Sequence, residues 1–130
     1  ISEIESIGDS CYNIARTINR RIRGKEDFIP AQYEHMHQMM ELTDQALTQM
    51  NITLVGHKGD NDANLSFNIE NEINNYRNQL KSQNINDVNN HLYTYAIGTM
   101  YMDIIQECEK LGDYIVNVVE ARMGVRQHEA

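Results

Sequence analysis

Two groups of oxygen-bearing side chains recur near opposite ends of this 130-residue chain. Each group holds a glutamate, an aspartate and an asparagine spaced by four residues: Glu5, Asp9 and Asn13, then Glu109, Asp113 and Asn117. Side chains four apart lie on one face of a helix, so each group predicts a polar stripe. Two carboxylates one turn apart repel each other by a few tenths of a kcal/mol, and a bound cation would relieve that repulsion.

The ligand chemistry of these stripes favours hard cations. Carboxylate and amide oxygens suit Mg²⁺, Ca²⁺, Mn²⁺ or iron better than soft-ligand metals. The predicted metal ligands are Glu5, Asp9, Glu109 and Asp113, with Glu3, Glu107, Asn13 and Asn117 as added ligands. Two carboxylates make a weak site, so further ligands would come from another helix, an upstream segment or a second subunit. The alternative is that both stripes are simply solvated, because a helical wheel places them away from the apolar stripes.

A longer pattern surrounds both stripes. Shifting the chain by 104 positions aligns six identical residues, including two glutamates, a glycine, an aspartate and an asparagine. The shared pattern, Glu-x-Glu-x-(Ile/Leu)-Gly-Asp-x-x-x-Asn, indicates one structural element used twice. Gly8 and Gly112 occupy the same position in it and flank apolar stripes, where a glycine allows a neighbouring helix to approach closely.

Hydrophobic periodicity predicts four helices that position these residues. They span about 1–23, 30–55, 62–81 and 86–123, with Pro30 opening the second, Asn86 or Asp87 capping the fourth, and Gly24 and Gly124 following helix ends. The fourth is expected to be the longest. Short connections favour an all-α, antiparallel four-helix bundle.

The apolar stripes predict which side chains form the core. The stripe of the first helix consists of Ile4, Ile7, Cys11, Ile14, Ile18 and Ile22. That of the second consists of Tyr33, Met36, Met40, Thr43, Leu47, Met50 and Leu54. The asparagine-rich outer face of the third helix is expected to be solvated. Cys11 and Cys108 are both predicted to be small core residues in a reducing compartment, not nucleophiles.

Bulk composition limits the classes of partner. The formal net charge of −8 argues against a nucleic-acid partner. No apolar stretch approaches the roughly 20 residues of a membrane span, and the acidic opening is unlike a signal peptide. Because the chain opens at Ile1 already within a helical pattern, we expect it to be a fragment of a longer protein.

The stretches "ESIGDSCYNIA" and "EKLGDYIVNVV" resemble the repeated motif of the PhoU family, roughly Glu-Arg-Ile-Gly-Asp-His-x-x-Asn-Ile. The basic residue after the first glutamate is present as Lys110 but replaced by Ser6, and the histidine is replaced by Ser10 and Tyr114. PhoU-like proteins are all-helical and built from two three-helix repeats, whose third helices carry the motif. The resemblance implies that residues 1–25 end one repeat and that 26–130 form the next, packed as one domain.

The amino-acid sequence around the motifs is most similar to that of the PhoU-like domains of bacterial sodium/phosphate cotransporters. This implies a non-enzymatic regulatory domain on the cytoplasmic side of the inner membrane, with the membrane portion of the same parent as partner and a second copy as another. A piece of a free-standing PhoU-type regulator of phosphate uptake is the alternative. Some family members bind metal clusters through Glu/Asp-x-x-x-Asp motifs, which coincide with the two stripes.

A metal-dependent bundle enzyme is the alternative from another class. Carboxylate-bridged di-iron bundles need Glu-x-x-His on two helices, and this chain has one copy, Glu34 to His37. His35 and His37 are expected on a polar helix surface. The basic run from Asn19 to Lys25 suits either anionic lipid headgroups or the negative end of a helix dipole. The sequence thus predicts no catalytic or cofactor-binding residue.

Overall fold

Four α-helices make up most of the molecule. The computed structural model describes residues 2–24, 26–56 and 60–124, with all of their side chains except those of 2–4, 22–23 and 60–63. The helices are α1 (Ser2–Arg23), α2 (Pro30–Val55), α3 (Asp60–Asn89) and α4 (Tyr95–Met123). The described ranges contain no strand, and the prediction of an all-α bundle of four helices is confirmed.

Helix α4 lies at the centre of the bundle. It packs against α1, α2 and α3, whereas α1 packs against α4 alone among the described helices, and α2 and α3 also pack together. Side chains around most of α4 are therefore buried, including Ile97, Ile105, Cys108 and Val119. A helix with three neighbours is expected to be apolar on most of its circumference.

Local chemistry sets most helix ends where the sequence predicts them. Pro30 opens α2, and the side chain of Gln32 accepts a hydrogen bond from the Ile29 amide at 3.0 Å. Gly24 follows α1, and its amide donates to the Arg20 carbonyl. Gly124 follows α4 in the left-handed conformation, with φ of 70°, which a glycine adopts without steric cost.

The boundary between α3 and α4 differs from the prediction. Helix α3 continues to Asn89, so Asn86 and Asp87 lie inside it and cap nothing, and α4 begins at Tyr95 after the cap Thr94. As a result α3, with 30 residues, is longer than α4, with 29.

His91 is the reason that α3 ends where it does. It has φ of 59°, its amide donates to the Val88 carbonyl, and the Leu92 amide donates to the Asp87 carbonyl. This pair of hydrogen bonds is the Schellman motif, in which glycine usually takes the left-handed position. Because a histidine occupies that position here, composition gave no sign of the helix end.

The predicted apolar stripes of α1 and α2 are confirmed in part. Met36 and Thr43 are buried, and the side chains that pack against the core include Ile7, Ile14, Leu47 and Met50. On α1, Cys11 and Ile18 are exposed and the buried side chains are Ser10 and Thr17, because α4 covers only a narrow face. On α2, the side chains of Tyr33, Met40 and Leu54 are exposed, and the buried ones are Gln32, Met36, Met39, Thr43, Ala46 and Thr53. The α2 face is set by contact with both α3 and α4.

Candidate functional site

The acidic stripe of α1 is open to solvent. Glu5 and Asp9 are exposed, and Asn13 is partly buried against α4. The Asn13 Nδ2 donates a hydrogen bond of 3.4 Å to Glu107 Oε1. The predicted solvated face is therefore confirmed for the two acids of α1.

The corresponding stripe of α4 is not on a solvated face, and that part of the prediction is wrong. Glu109, Asp113 and Asn117 are all partly buried, because α3 packs beside them. Burial first, and then a hydrogen bond with Asp113 and the negative charge of Asp113, raise the pKa of Glu109 to about 7. The positive charges of Arg77 on α3 and of Lys110 lower this pKa by less. The Glu109 carboxyl therefore holds a proton at a higher pH than an exposed glutamate does.

Glu107 joins the two copies of the repeated pattern. Its side chain is 14% exposed, and its Oε1 lies 3.5 Å from Lys110 Nζ while accepting from Asn13. Its Oε2 is buried and has no hydrogen-bond partner among the described residues. Because Glu107 faces α1 while Glu109 adjoins α3, the two glutamates do not act as one ligand set. The side chain of Glu3, the matching residue of α1, lies outside the described residues.

The predicted metal ligands lie on two helices, Glu5 and Asp9 on α1 and Glu109 and Asp113 on α4, as two separate sites would require. Within residues 2–24, 26–56 and 60–124, no three His, Cys, Asp or Glu side chains are grouped so that they could hold a metal ion. Each stripe therefore offers two carboxylates, Glu5 with Asp9 and Glu109 with Asp113. A metal ion held at either stripe would need further ligands beyond these two carboxylates.

The two glycines of the repeat have opposite surroundings. Gly112 is buried, and a Cβ built on it would lie 3.2 Å from Ile73 Cδ1, so close approach of α3 depends on the glycine. A Cβ on Gly8 would meet no atom of the described residues within 4 Å. The predicted packing role is confirmed for Gly112 and wrong for Gly8 in this structure.

A second glycine–helix contact was missed by the sequence analysis. A Cβ on the buried Gly98 would lie 2.8 Å from Val88 Cγ2 and 3.2 Å from Asn84 Oδ1. Asn84 also accepts a hydrogen bond of 2.5 Å from the Tyr93 hydroxyl. At least this asparagine of α3 therefore packs against α4 and does not belong to a solvated face.

The two histidines of α2 have different roles, of which the sequence predicted one. His37 is exposed, as expected, and its Nε2 lies 3.1 Å from Glu41 Oε1. His35 is partly buried, and its Nδ1 shares a hydrogen bond of 3.0 Å with the Tyr101 hydroxyl. The neighbouring Tyr76 donates to Gln38 at 2.8 Å. These contacts tie α2 to α3 and α4. In the sequence, the only indication of them was the presence of Tyr101 near the start of α4.

The two cysteines have different surroundings. Cys108 is buried, and burial raises the pKa of its thiol to about 11, so the thiolate is disfavoured. Cys11 is exposed, which corrects its assignment to the core.

In the basic run from Asn19 to Lys25, Arg20 forms a 3.0 Å ion pair with Asp103, and Arg21 lies 3.5 Å from Asp27. These two arginines thus already have acidic partners.

No helix among the described residues is long and apolar enough to cross a membrane. No family model, curated protein or solved structure matches the chain.

Proposed function

We propose that this chain is a non-enzymatic, PhoU-like regulatory domain of a bacterial sodium/phosphate cotransporter, on the cytoplasmic side of the inner membrane. The observation that carries the proposal is the pairing of the two pattern-bearing helices. Helices α1 and α4 pack together, and Asn13 of one copy reaches Glu107 of the other. A PhoU-like motif used twice, on two helices that contact each other, is what supports the proposal.

The proposed arrangement is an antiparallel, PhoU-like bundle. Residue numbers rise along α1 as they fall along α4, since Asn13 meets Glu107 and Arg20 meets Asp103. The proposal assigns residues 1–25 to the end of one repeat and 26–130 to the next. Its partner is the membrane portion of the same parent protein, and a homodimer is a further proposed contact.

Regulation without chemistry agrees with the side chains that could react. Glu34 and His37 are exposed, and His37 is paired with Glu41. Cys108 is held as a buried thiol. The domain is therefore proposed to act by helix packing and binding. A piece of a free-standing phosphate-uptake regulator would share these features and differ in the parent gene.

Phosphate uptake by the parent protein tests the regulatory role. The full-length parent and a version lacking residues 1–130 are expressed in cells deleted for their own phosphate transporters. We expect both to accumulate labelled phosphate, and only the full-length protein to reduce uptake when the cells are phosphate-replete. Equal responses of the two proteins to phosphate supply would contradict a regulatory domain.

A metal ion at the α4 acids is part of the proposal only with added ligands. In this proposal the full-length parent supplies the added ligands. The test therefore compares thermal melts of the full-length parent and of its double variant Glu109→Asn, Asp113→Asn, each with and without Mn²⁺. Metal that binds only the native state raises the melting temperature, and the double variant should lose that rise. If Mn²⁺ raises the melting temperature equally in both proteins, these acids are not ligands.

A further inference from the structure

A polar cavity of about 180 Å³ lies between α1 and α4. Basic side chains of both helices line it, Arg16 and Arg20 from α1 and Lys110 from α4. Asp103 and Glu107 of α4 also line it, so the cavity has one positive charge in excess. This local balance is the reverse of that of the whole chain, whose formal net charge is −8. The excess charge favours an anion as the ligand of this cavity.

The excess positive charge belongs to Arg16. Arg20 already lies 3.0 Å from Asp103. Among the described residues Arg16 has no carboxylate partner, and its guanidinium lies 5.8 Å from the centre of the Tyr12 ring. A guanidinium has five N–H donors in a planar fork and no acceptor. Arg16 can therefore bind an oxyanion without giving up an ion pair to another residue.

The carboxylate of Glu107 lacks a close hydrogen-bond donor. Its Oε1 accepts from Asn13 at 3.4 Å and lies 3.5 Å from Lys110 Nζ, and both distances are long for hydrogen bonds. Its buried Oε2 has no hydrogen-bond partner within the described part of the chain. A carboxylate that is removed from water and left short of donors is costly. A ligand that donates a hydrogen bond would complete this group.

We infer that this cavity binds an oxyanion that also donates a hydrogen bond, and that inorganic phosphate is that ligand. Its negative oxygens accept from Arg16, Arg20 and Lys110, and its P–OH group donates to the Glu107 carboxylate. Sulfate has the same tetrahedral shape but no proton to donate at neutral pH, so the carboxylate repels it and makes the site selective. The role of bound phosphate as a signal for transport rests on the proposed function, whereas the binding itself rests on these side chains.

Titrations of the isotopically labelled chain with potassium phosphate and potassium sulfate test the inference. They are made at pH 7 and at matched ionic strength, because salt screens exposed charges. Phosphate should cause saturable amide shift changes at Arg16, Thr17 and Glu107, with a Kd of about 1 mM, and sulfate should bind at least about tenfold more weakly. The chain is titrated alone, so binding can fail while sodium-dependent uptake by the parent succeeds, and the reverse.

Two variants test the roles of the basic and the acidic group. Arg16→Gln should weaken phosphate binding about tenfold, because it removes a charge-assisted donor. Arg122→Gln, in the last turn of α4, removes the same charge outside the cavity and should leave binding unchanged. Glu107→Gln replaces an acceptor by a group that can also donate, so it should make sulfate bind as well as phosphate or better. A protein that had merely lost its fold would not show that change of preference.

Four results would overturn the inference. They are the absence of saturable shift changes with phosphate, equal binding of phosphate and sulfate by the wild type, an unchanged preference in Glu107→Gln, and equal losses in Arg16→Gln and Arg122→Gln. Methyl phosphate is titrated in the same way to separate the free ion from a phosphate monoester. Tighter binding of methyl phosphate than of inorganic phosphate would overturn the assignment of the ligand.

Discussion

Replacing Glu109 by glutamine should make the domain more stable, but only above acidic pH. The folded-state pKa of this carboxyl is raised from 4.5 to about 7, chiefly by burial and then by its hydrogen bond with Asp113. A raised carboxyl pKa means that the folded state holds the proton more tightly than the unfolded chain. Stability contributed by this group is therefore present below about pH 4.5, is lost as the pH rises to about 7, and stays lost above it.

The structure sets the size of this effect. A pKa of about 7 in place of 4.5 corresponds to about 3 kcal/mol at roughly 1.4 kcal/mol per pH unit. Glu109 is only partly buried, so solvent screening reduces the expected cost to about 1–2 kcal/mol. Glutamine keeps the shape and can donate to Asp113 as the protonated acid does, while Arg77 and Lys110 remain in place. We therefore expect Glu109→Gln to raise the melting temperature by about 4–8 °C at pH 8.

The assay is a series of thermal melts by circular dichroism between pH 4 and pH 8, with a chelator present. Wild type and Glu109→Gln should melt alike at pH 4, diverge as the pH rises from about 4.5 to about 7, and keep that difference at pH 8. Glu5→Gln is the matched control, because Glu5 occupies the same position in the repeat but is exposed. It should change the melting temperature little at either pH. A difference between wild type and Glu109→Gln that is equal at pH 4 and pH 8 would refute the reasoning.

Two further predictions concern packing and capping. Gly112→Leu should destabilise the domain by about 1–3 kcal/mol in urea titrations, because the leucine side chain would collide with Ile73. Gly8→Ala should stabilise the domain by about 0.5–1 kcal/mol. Equal effects at the two glycines would contradict their different surroundings. Thr94→Ala should cost about 1 kcal/mol, since the Thr94 hydroxyl accepts a backbone hydrogen bond of 3.2 Å at the start of α4. Unchanged stability of Thr94→Ala together with an unchanged control, Thr94→Ser, would show that this cap is dispensable.

The sequence predicts those features that depend on local chemistry. Pro30 and Gly124 mark helix ends because each has a backbone property that other residues lack. The two copies of the acidic pattern were likewise visible, since a repeat needs no knowledge of tertiary contacts. The end of α3 was not predictable in the same way, because His91 takes the left-handed position that composition assigns to glycine.

The burial of each acidic side chain depends on the neighbouring helices, which a helical wheel does not show. Glu5 and Glu109 have the same local sequence pattern, yet one is exposed and the other partly buried, because only α4 has α3 beside it. The contact of His35 with Tyr101 was hidden for the same reason, as the two residues are far apart in sequence. The local sequence pattern thus identified the candidate residues, whereas the packing of the helices determines which of them are exposed and which are partly buried.

Sodium-dependent phosphate uptake by the full-length parent tests the central claim most directly. Cells without their own phosphate transporters are given the parent gene, and uptake of labelled phosphate is measured in sodium and in potassium buffers. The proposal predicts accumulation in sodium that largely disappears in potassium. Uptake no greater than that of cells with an empty vector, in either buffer, would contradict the assignment of this domain to a sodium/phosphate cotransporter.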